Sequence, residues 1–189
     1  MVCDLMRDFE RVHSNVSGIP VAHGVAKWRP PIGEILKVNF DGAMFMRQKV
    51  CGVGVVIRDL NGVPVAALSE QIPQWMESDC IEAIAAVKAL DFATELGLTN
   101  IHLEGDSLTV IKAMREDGYL NASFGHFLQY AIDRSKQFAS FCVSHTRRSG
   151  NVMAHHLAQM AKEDPEKRVW MAGVPEHLVQ VLLSDVPVL

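Results

Sequence analysis

Apolar and polar positions alternate through Lys37-Val38-Asn39-Phe40-Asp41, placing Val38 and Phe40 on one side and Lys37, Asn39 and Asp41 on the other. That two-residue period is the mark of a strand. It predicts strands over about 34–42, 50–58 and 63–71, the second apolar enough at Val53, Val55, Val56 and Ile57 for the middle of a sheet. Asn61-Gly62 is a tight hairpin signal, so the three form an antiparallel meander. From Asp79 to Leu96 the spacing changes to three and four. Ile81, Ile84, Ala85, Ala89 and Phe92 mark a helix that is apolar on most sides, and Gly97 stops it. A strand over 100–104, helices over about 107–116 and 122–136, and a strand over 138–144 follow. A loop over 145–150 then leads to a helix over about 151–162.

The order β-β-β-α-β-α-α-β-α implies an α/β fold. Its five-stranded mixed sheet joins the meander to parallel strands reached through flanking helices. One domain is expected over 34–163. Residues 1–33 read as an N-terminal linker or the remnant of an upstream domain, with a rigid Trp28-Arg29-Pro30-Pro31 lead-in. Residues 164–189, broken by Pro165, Pro175 and Pro187, read as an apolar tail packing on the domain. Ligands in such sheets sit beyond strand carboxyl ends, where Asp41 and Asp106 fall; Asp41 is expected to end its strand at Gly42.

Composition narrows the choice. The 189 residues are 49% hydrophobic and 21% charged, a globular balance. A net charge of −4 offers no global attraction to a polyanion, which would have to be held by local basic residues or metal ions. Cys3, Cys51, Cys80 and Cys142 form no C-x-x-C pair, which argues against a zinc site and fits thiols in a reducing, intracellular compartment. No 18-residue apolar run and no signal-peptide core are present, so neither membrane span nor secretion is expected, and the sequons at Asn15 and Asn121 read as chance.

Three carboxylates then stand out: Asp41, Glu82 on the first helix, and Asp106 at the Gly105-Asp106-Ser107 turn. Each has an ordinary alternative. Asp106 suits a helix N-cap, Asp79-x-x-Glu82 suits a capping box, and Asp41 suits a polar turn. If they converge, their charges repel unless a cation sits between them, and oxygen-only ligation suits Mg²⁺ or Mn²⁺.

The segments Lys37–Ala43, Gly52–Asp59, Glu82-Ala83, Glu104-Gly105-Asp106-Ser107 and His145-x₅-Asn151-x₂-Ala154-x₂-Leu157-Ala158, in this order, resemble type 1 ribonuclease H. The nearest likeness is to plant ribonuclease H-like domains related to non-LTR retrotransposon reverse transcriptases, which the Trp28 lead-in and the Val169-to-Asp185 tail also resemble. The resemblance implies a nuclease that hydrolyses the RNA strand of an RNA–DNA hybrid with two metal ions about 3.5–4 Å apart. It assigns Asp41, Glu82 and Asp106 to the metals and His145 to proton transfer or product release. It places the backbone of Gly42 and Ala43 at the hybrid's 2′-hydroxyls, and Ser107, Arg147, Arg148 and Asn151 near nucleic acid.

One position departs. His155 stands where the family has its fourth acid; an imidazole there offers a ligand atom without negative charge and suits Mn²⁺ better than Mg²⁺. A non-catalytic nucleic-acid-binding module and another nuclease of the same superfold therefore stay as alternatives. Arg47, Lys49, Arg58, Lys112 and Arg115, besides Arg147 and Arg148, are the basic residues available to phosphates, too sparse for more than weak, salt-sensitive binding. A monomer is expected.

Overall fold

In the computed structural model, which describes residues 27–116 and 122–185, the alternating segment forms β1 (Leu36–Phe45) and returns after a four-residue turn as β2 (Val50–Arg58). The Asn61-Gly62 turn follows, with Gly62 at φ +78°, and Asp59 Oδ1 accepts from the N–H groups of Asn61 and Val63. β3 (Pro64–Ile72) completes the meander. Next come α1 (Ser78–Glu95), β4 (Asn100–Gly105), α2 (Leu108–Arg115), α3 (Gly125–Ser135), β5 (Ser140–His145) and α4 (Val152–Met160). The sequons at Asn15 and Asn121, Cys3, and the outer parts of the lead-in and tail lie outside the described residues.

The sheet has six strands, in the order β5-β4-β1-β2-β3 and then a strand at Arg168–Met171, one more than the sequence pattern predicts. β1–β4 and β4–β5 are parallel and the other pairs antiparallel. The added strand is β6 (Arg168–Met171), from the tail, which pairs with β3 from Ala66↔Met171 to Ser69↔Arg168. Four residues between Pro165 and the turn before Pro175 are too few to show a period. The tail ends in α5 (Val179–Asp185).

β1 also does not stop at Gly42. Gly42 pairs with Val53 and the strand continues to Phe45, outrunning β4, whose pairing ends at Asn39↔Glu104. Asp41 therefore lies where β1 leaves its parallel neighbour. The glycine serves packing: a Cβ on Gly42 would sit 2.9 Å from the Ile81 carbonyl carbon and 3.1 Å from Glu82 N, so its absence admits the first turn of α1.

The two faces of the sheet differ in chemistry. Val38, Phe40, Val53, Val55, Ile57, Ile101 and Leu103 form one apolar core with α1, α2 and α3. On the other face α4 packs over β1 and β2, with Val56, Ala67, Met153, Ala154, Leu157 and Leu178 in a smaller cluster. Gly52 and Gly54 let α4 come close: a Cβ on Gly54 would collide with the helix backbone at Ala154, Leu157 and Ala158. Lys37, Asn39, Asp41, Arg58, His102, Glu104 and Ser144 are all buried. Arg58 has no exposed surface and pairs with Asp185 at 2.8 Å, so it is not available to phosphates. Among the described residues no helix is long and apolar enough to cross a membrane.

Candidate active site

Asp41, Glu82 and Asp106 come together from three elements. Asp41 projects from β1 and Glu82 from the first turns of α1, while Asp106 follows β4; each offers an oxygen within 4.8 Å of the others. The ordinary roles are taken elsewhere. Ser107, not Asp106, caps α2, its Oγ accepting from Val110 N–H at 3.4 Å. α1 starts after Glu77 without a side-chain cap, and Glu82 turns inward, where the Gly42 N–H donates to its carboxylate.

Burial chiefly lifts the Asp41 carboxyl to about 6, against a hydrogen bond from His155 and with the Asp106 charge adding to it. Burial, then the charges on Asp41 and Asp106, raise Glu82 to about 9. Asp41 Oδ1 and Glu82 Oε2 are buried without a hydrogen-bond partner. Buried, mutually repelling carboxylates with unpartnered oxygens fit a hard divalent cation of the Mg²⁺ or Mn²⁺ class.

The other expected site residues surround this trio. His145, exposed at the end of β5, has Nε2 3.2 Å from the Asp106 carbonyl oxygen. Arg148 Nη1 lies 3.9 Å from Asp106 Oδ2, and Arg147 is exposed beside it. His155 falls outside the trio's span. Its Nδ1 is 2.9 Å from Asp41 Oδ2 and 2.8 Å from Arg148 Nη2. A neutral ring nitrogen can donate to the carboxylate or accept from the guanidinium, not both. His155, the expected fourth ligand, thus lies against Asp41.

Asn151 is buried completely, and its amide is spent inside the protein: Nδ2 donates to the Phe40 carbonyl at 2.8 Å and to Asp106 Oδ1 at 3.3 Å. It orients Asp106 instead of meeting nucleic acid. The Gly42 N–H serves Glu82, and Ala43 is buried against α4. His156, one residue past His155, is half-buried.

Beneath the trio runs a polar network that residue spacing did not suggest. Lys37 Nζ donates to Glu104 Oε1 at 2.9 Å, Ser144 Oγ to the same oxygen at 3.0 Å, and Asn39 Nδ2 to Glu104 Oε2 at 3.0 Å. Burial alone would raise the Glu104 carboxyl, but the Lys37 ammonium, His102 and these bonds outweigh it and hold it below the usual range. Because Ser144 donates to Glu104, His102 Nε2 must donate to Ser144 Oγ, 2.6 Å away, which leaves buried Nδ1 without a partner. Burial and then Lys37 push His102 down to about 4 from 6.5. The folded protein thus resists a proton that the unfolded chain accepts. The stability contributed is complete above pH 6.5 and is lost as pH falls toward 4, by about 3 kcal/mol. The urea midpoint should fall less between pH 7 and 4.5 for His102→Gln than for the wild type; equal falls would remove His102 as the cause.

The fold and site define a class: a mixed α/β sheet with three carboxylates meeting near its centre is the ribonuclease H-like architecture. A family model described as reverse transcriptase-like matches residues 39–161. The chain belongs to the reverse transcriptase-like family. Its solved structural relatives include RNase H1 from Halobacterium salinarum, at 27% identity over 68% of this chain and 98% of that one, with a TM-score of 0.64. The N-terminal RNase H domain of a Mycobacterium tuberculosis protein matches at 20% identity over 70% and 96%, with a TM-score of 0.63. LC11-RNase H1, solved in complex with an RNA/DNA hybrid, matches at 20% over 67% and 95%, with a TM-score of 0.55. Comparison with curated protein sequences gives no match.

Proposed function

We propose that this protein is a divalent-metal-dependent endoribonuclease that hydrolyses the RNA strand of RNA–DNA hybrids. The observation that carries the reading is the buried trio with its two unpartnered oxygens. The hybrid bound to LC11-RNase H1 supports the substrate class. Asp41, Glu82 and Asp106 would hold the metal, which supplies Lewis-acid activation of water and charge neutralisation at phosphorus. Asn151 and the Gly42 N–H keep Asp106 and Glu82 aimed inward. His145, exposed beside Asp106, would carry a proton to or from the scissile phosphate's surroundings, and the exposed Arg147 and Arg148 would meet the phosphate backbone. The likeness of the lead-in and tail to plant retroelement-derived domains rests on sequence alone.

A second reading, a hybrid-binding module without cleavage, is favoured by His155 lying against Asp41. One assay separates the two: cleavage of an end-labelled hybrid with Mg²⁺ or Mn²⁺ by the wild type and by Asp41→Asn. The hydrolase cleaves only with metal, and Asp41→Asn does not. Equal cleavage by both proteins, or binding without cleavage by the wild type, would overturn it.

A further inference from the structure

The two ends of the described chain meet at Arg58. Trp28 is buried with its ring 4.2 Å from the guanidinium carbon, and Asp185 Oδ2, on α5, accepts from Arg58 Nη1 at 2.8 Å. The other terminal nitrogen, Nη2, donates to Asn39 Oδ1 at 3.2 Å, an oxygen that also accepts from Trp28 Nε1 at 3.0 Å. Two donors on one atom fix which end of the Asn39 amide is oxygen. Its nitrogen must then face two acceptors, and it does: Glu104 Oε2 at 3.0 Å and Asn151 Oδ1 at 3.3 Å. That in turn fixes the Asn151 amide, whose nitrogen reaches Asp106 Oδ1 at 3.3 Å. Every link as far as Asn151 is buried, so water competes only at the half-buried Asp106.

We propose that Asp185, in the C-terminal tail, is a positioning residue for the carboxylate trio, acting through Arg58, Asn39 and Asn151 on Asp106. Arg58 has no exposed surface, and its Nε has no partner. Asp185 is the acid in contact with it, so removing that charge leaves a buried cation to seek another carboxylate. Glu104, whose charge already acts on Arg58, is the nearest candidate. A guanidinium drawn toward Glu104 leaves Asn39 Oδ1 with Trp28 Nε1 as its remaining donor, so the Asn39 amide shifts and the Asn151 amide, still held at the Phe40 carbonyl, tilts relative to Asp106. For catalysis the proposal rests on the hydrolase reading; for the geometry of the trio it does not.

The test therefore reads the relay before activity. In ¹H–¹⁵N spectra of metal-free protein, Asp185→Asn should shift the side-chain amide signals of Asn39 and Asn151 while the backbone signals stay dispersed. Calorimetric titration should show Mn²⁺ binding weakened about tenfold, as for other groups that orient a metal ligand from behind. Asp185→Glu should restore both. If Asp185→Asn does not fold, Arg58→Met with Asp185→Leu replaces the ion pair by apolar bulk and should give the same amide shifts and weaker Mn²⁺ binding. Unchanged Asn151 signals, or unchanged Mn²⁺ affinity in a folded variant, overturns the proposal and reduces Asp185 to a clamp for the tail. A wild type that cleaves no hybrid yet shows these shifts counts only against the hydrolase reading.

Discussion

Replacing Glu82 with glutamine is expected to stabilise the metal-free protein and, at the same time, to abolish its response to divalent cations. The carboxyl titrates near 4.5 in the unfolded chain and at about 9 in the fold. Between those values the folded state holds a proton that the unfolded state has released. Stability of the metal-free protein therefore falls as pH rises from 4.5 toward 9, and the whole penalty is present above that. Glutamine carries no such proton. At pH 8 the variant should be more stable by on the order of 3 kcal/mol, allowing for repulsion shared among the three carboxylates. At pH 4.5 the two proteins should be close. The wild type should gain stability on addition of Mn²⁺ because the ion binds only the fold, and the variant should not. Hybrid cleavage should drop by more than about 100-fold, the upper end for groups that merely support a metal ligand. Urea unfolding at pH 4.5 and 8, with and without Mn²⁺, checks this. A variant no more stable than wild type at pH 8 would mean that Glu82 is not held protonated there.

Gly54→Ala should be strongly damaging for a single added methyl. Its Cβ would enter the space of the Ala154 carbonyl oxygen and the Ala158 nitrogen, and would lie 2.9 Å from the Leu157 carbonyl carbon. These are helix backbone atoms, so no side chain can rotate out of the way. Relief requires α4 to lift off β2, pulling Ala154 and Leu157 from the core. Gly54 is the residue paired with Asp41 across the β1–β2 ladder, so the same movement takes His155 from Asp41 and Asn151 from Asp106. A loss of about 4 kcal/mol or more is expected, enough to unfold a domain of ordinary stability. Gly97→Ala is the control. Nothing lies within 4 Å of its added methyl, but its φ of +70° makes the change cost about 1–2 kcal/mol. Thermal unfolding of the two variants would sink the idea if Gly54→Ala proved the milder.

The trio was legible in the sequence because each member sits at a place where local pattern already changes: an alternating strand, a helix start and a strand-to-helix turn. α1 was legible by its length, its apolar residues on most sides and the glycine that stops it. Arg58 was misread as a surface cation because its partner Asp185 is 127 residues away, and no spacing rule spans that distance. Asn39 and Glu104, 65 residues apart, are hidden likewise, although Asn39 shares the polar alternation that revealed Asp41. Asn151 was recognised but given the wrong partner, since a helix-start asparagine looks the same whether it faces solvent or a carboxylate. The strand's own pattern carries no reason for Gly52 and Gly54; only the position of α4 shows what they admit.

The sixth strand has a practical consequence. A fragment stopped at residue 163, where periodicity ends, would uncover Ala66–Ser69 of β3 as a bare row of N–H and C=O groups. Ala67 and Leu68, with Val56 behind them, would then form a flat and mostly uncharged rim. Such a rim is a template for a neighbouring molecule's strand. The shortened protein would add copies of itself at that edge, and its failure would be seen as aggregation rather than as simple loss of stability.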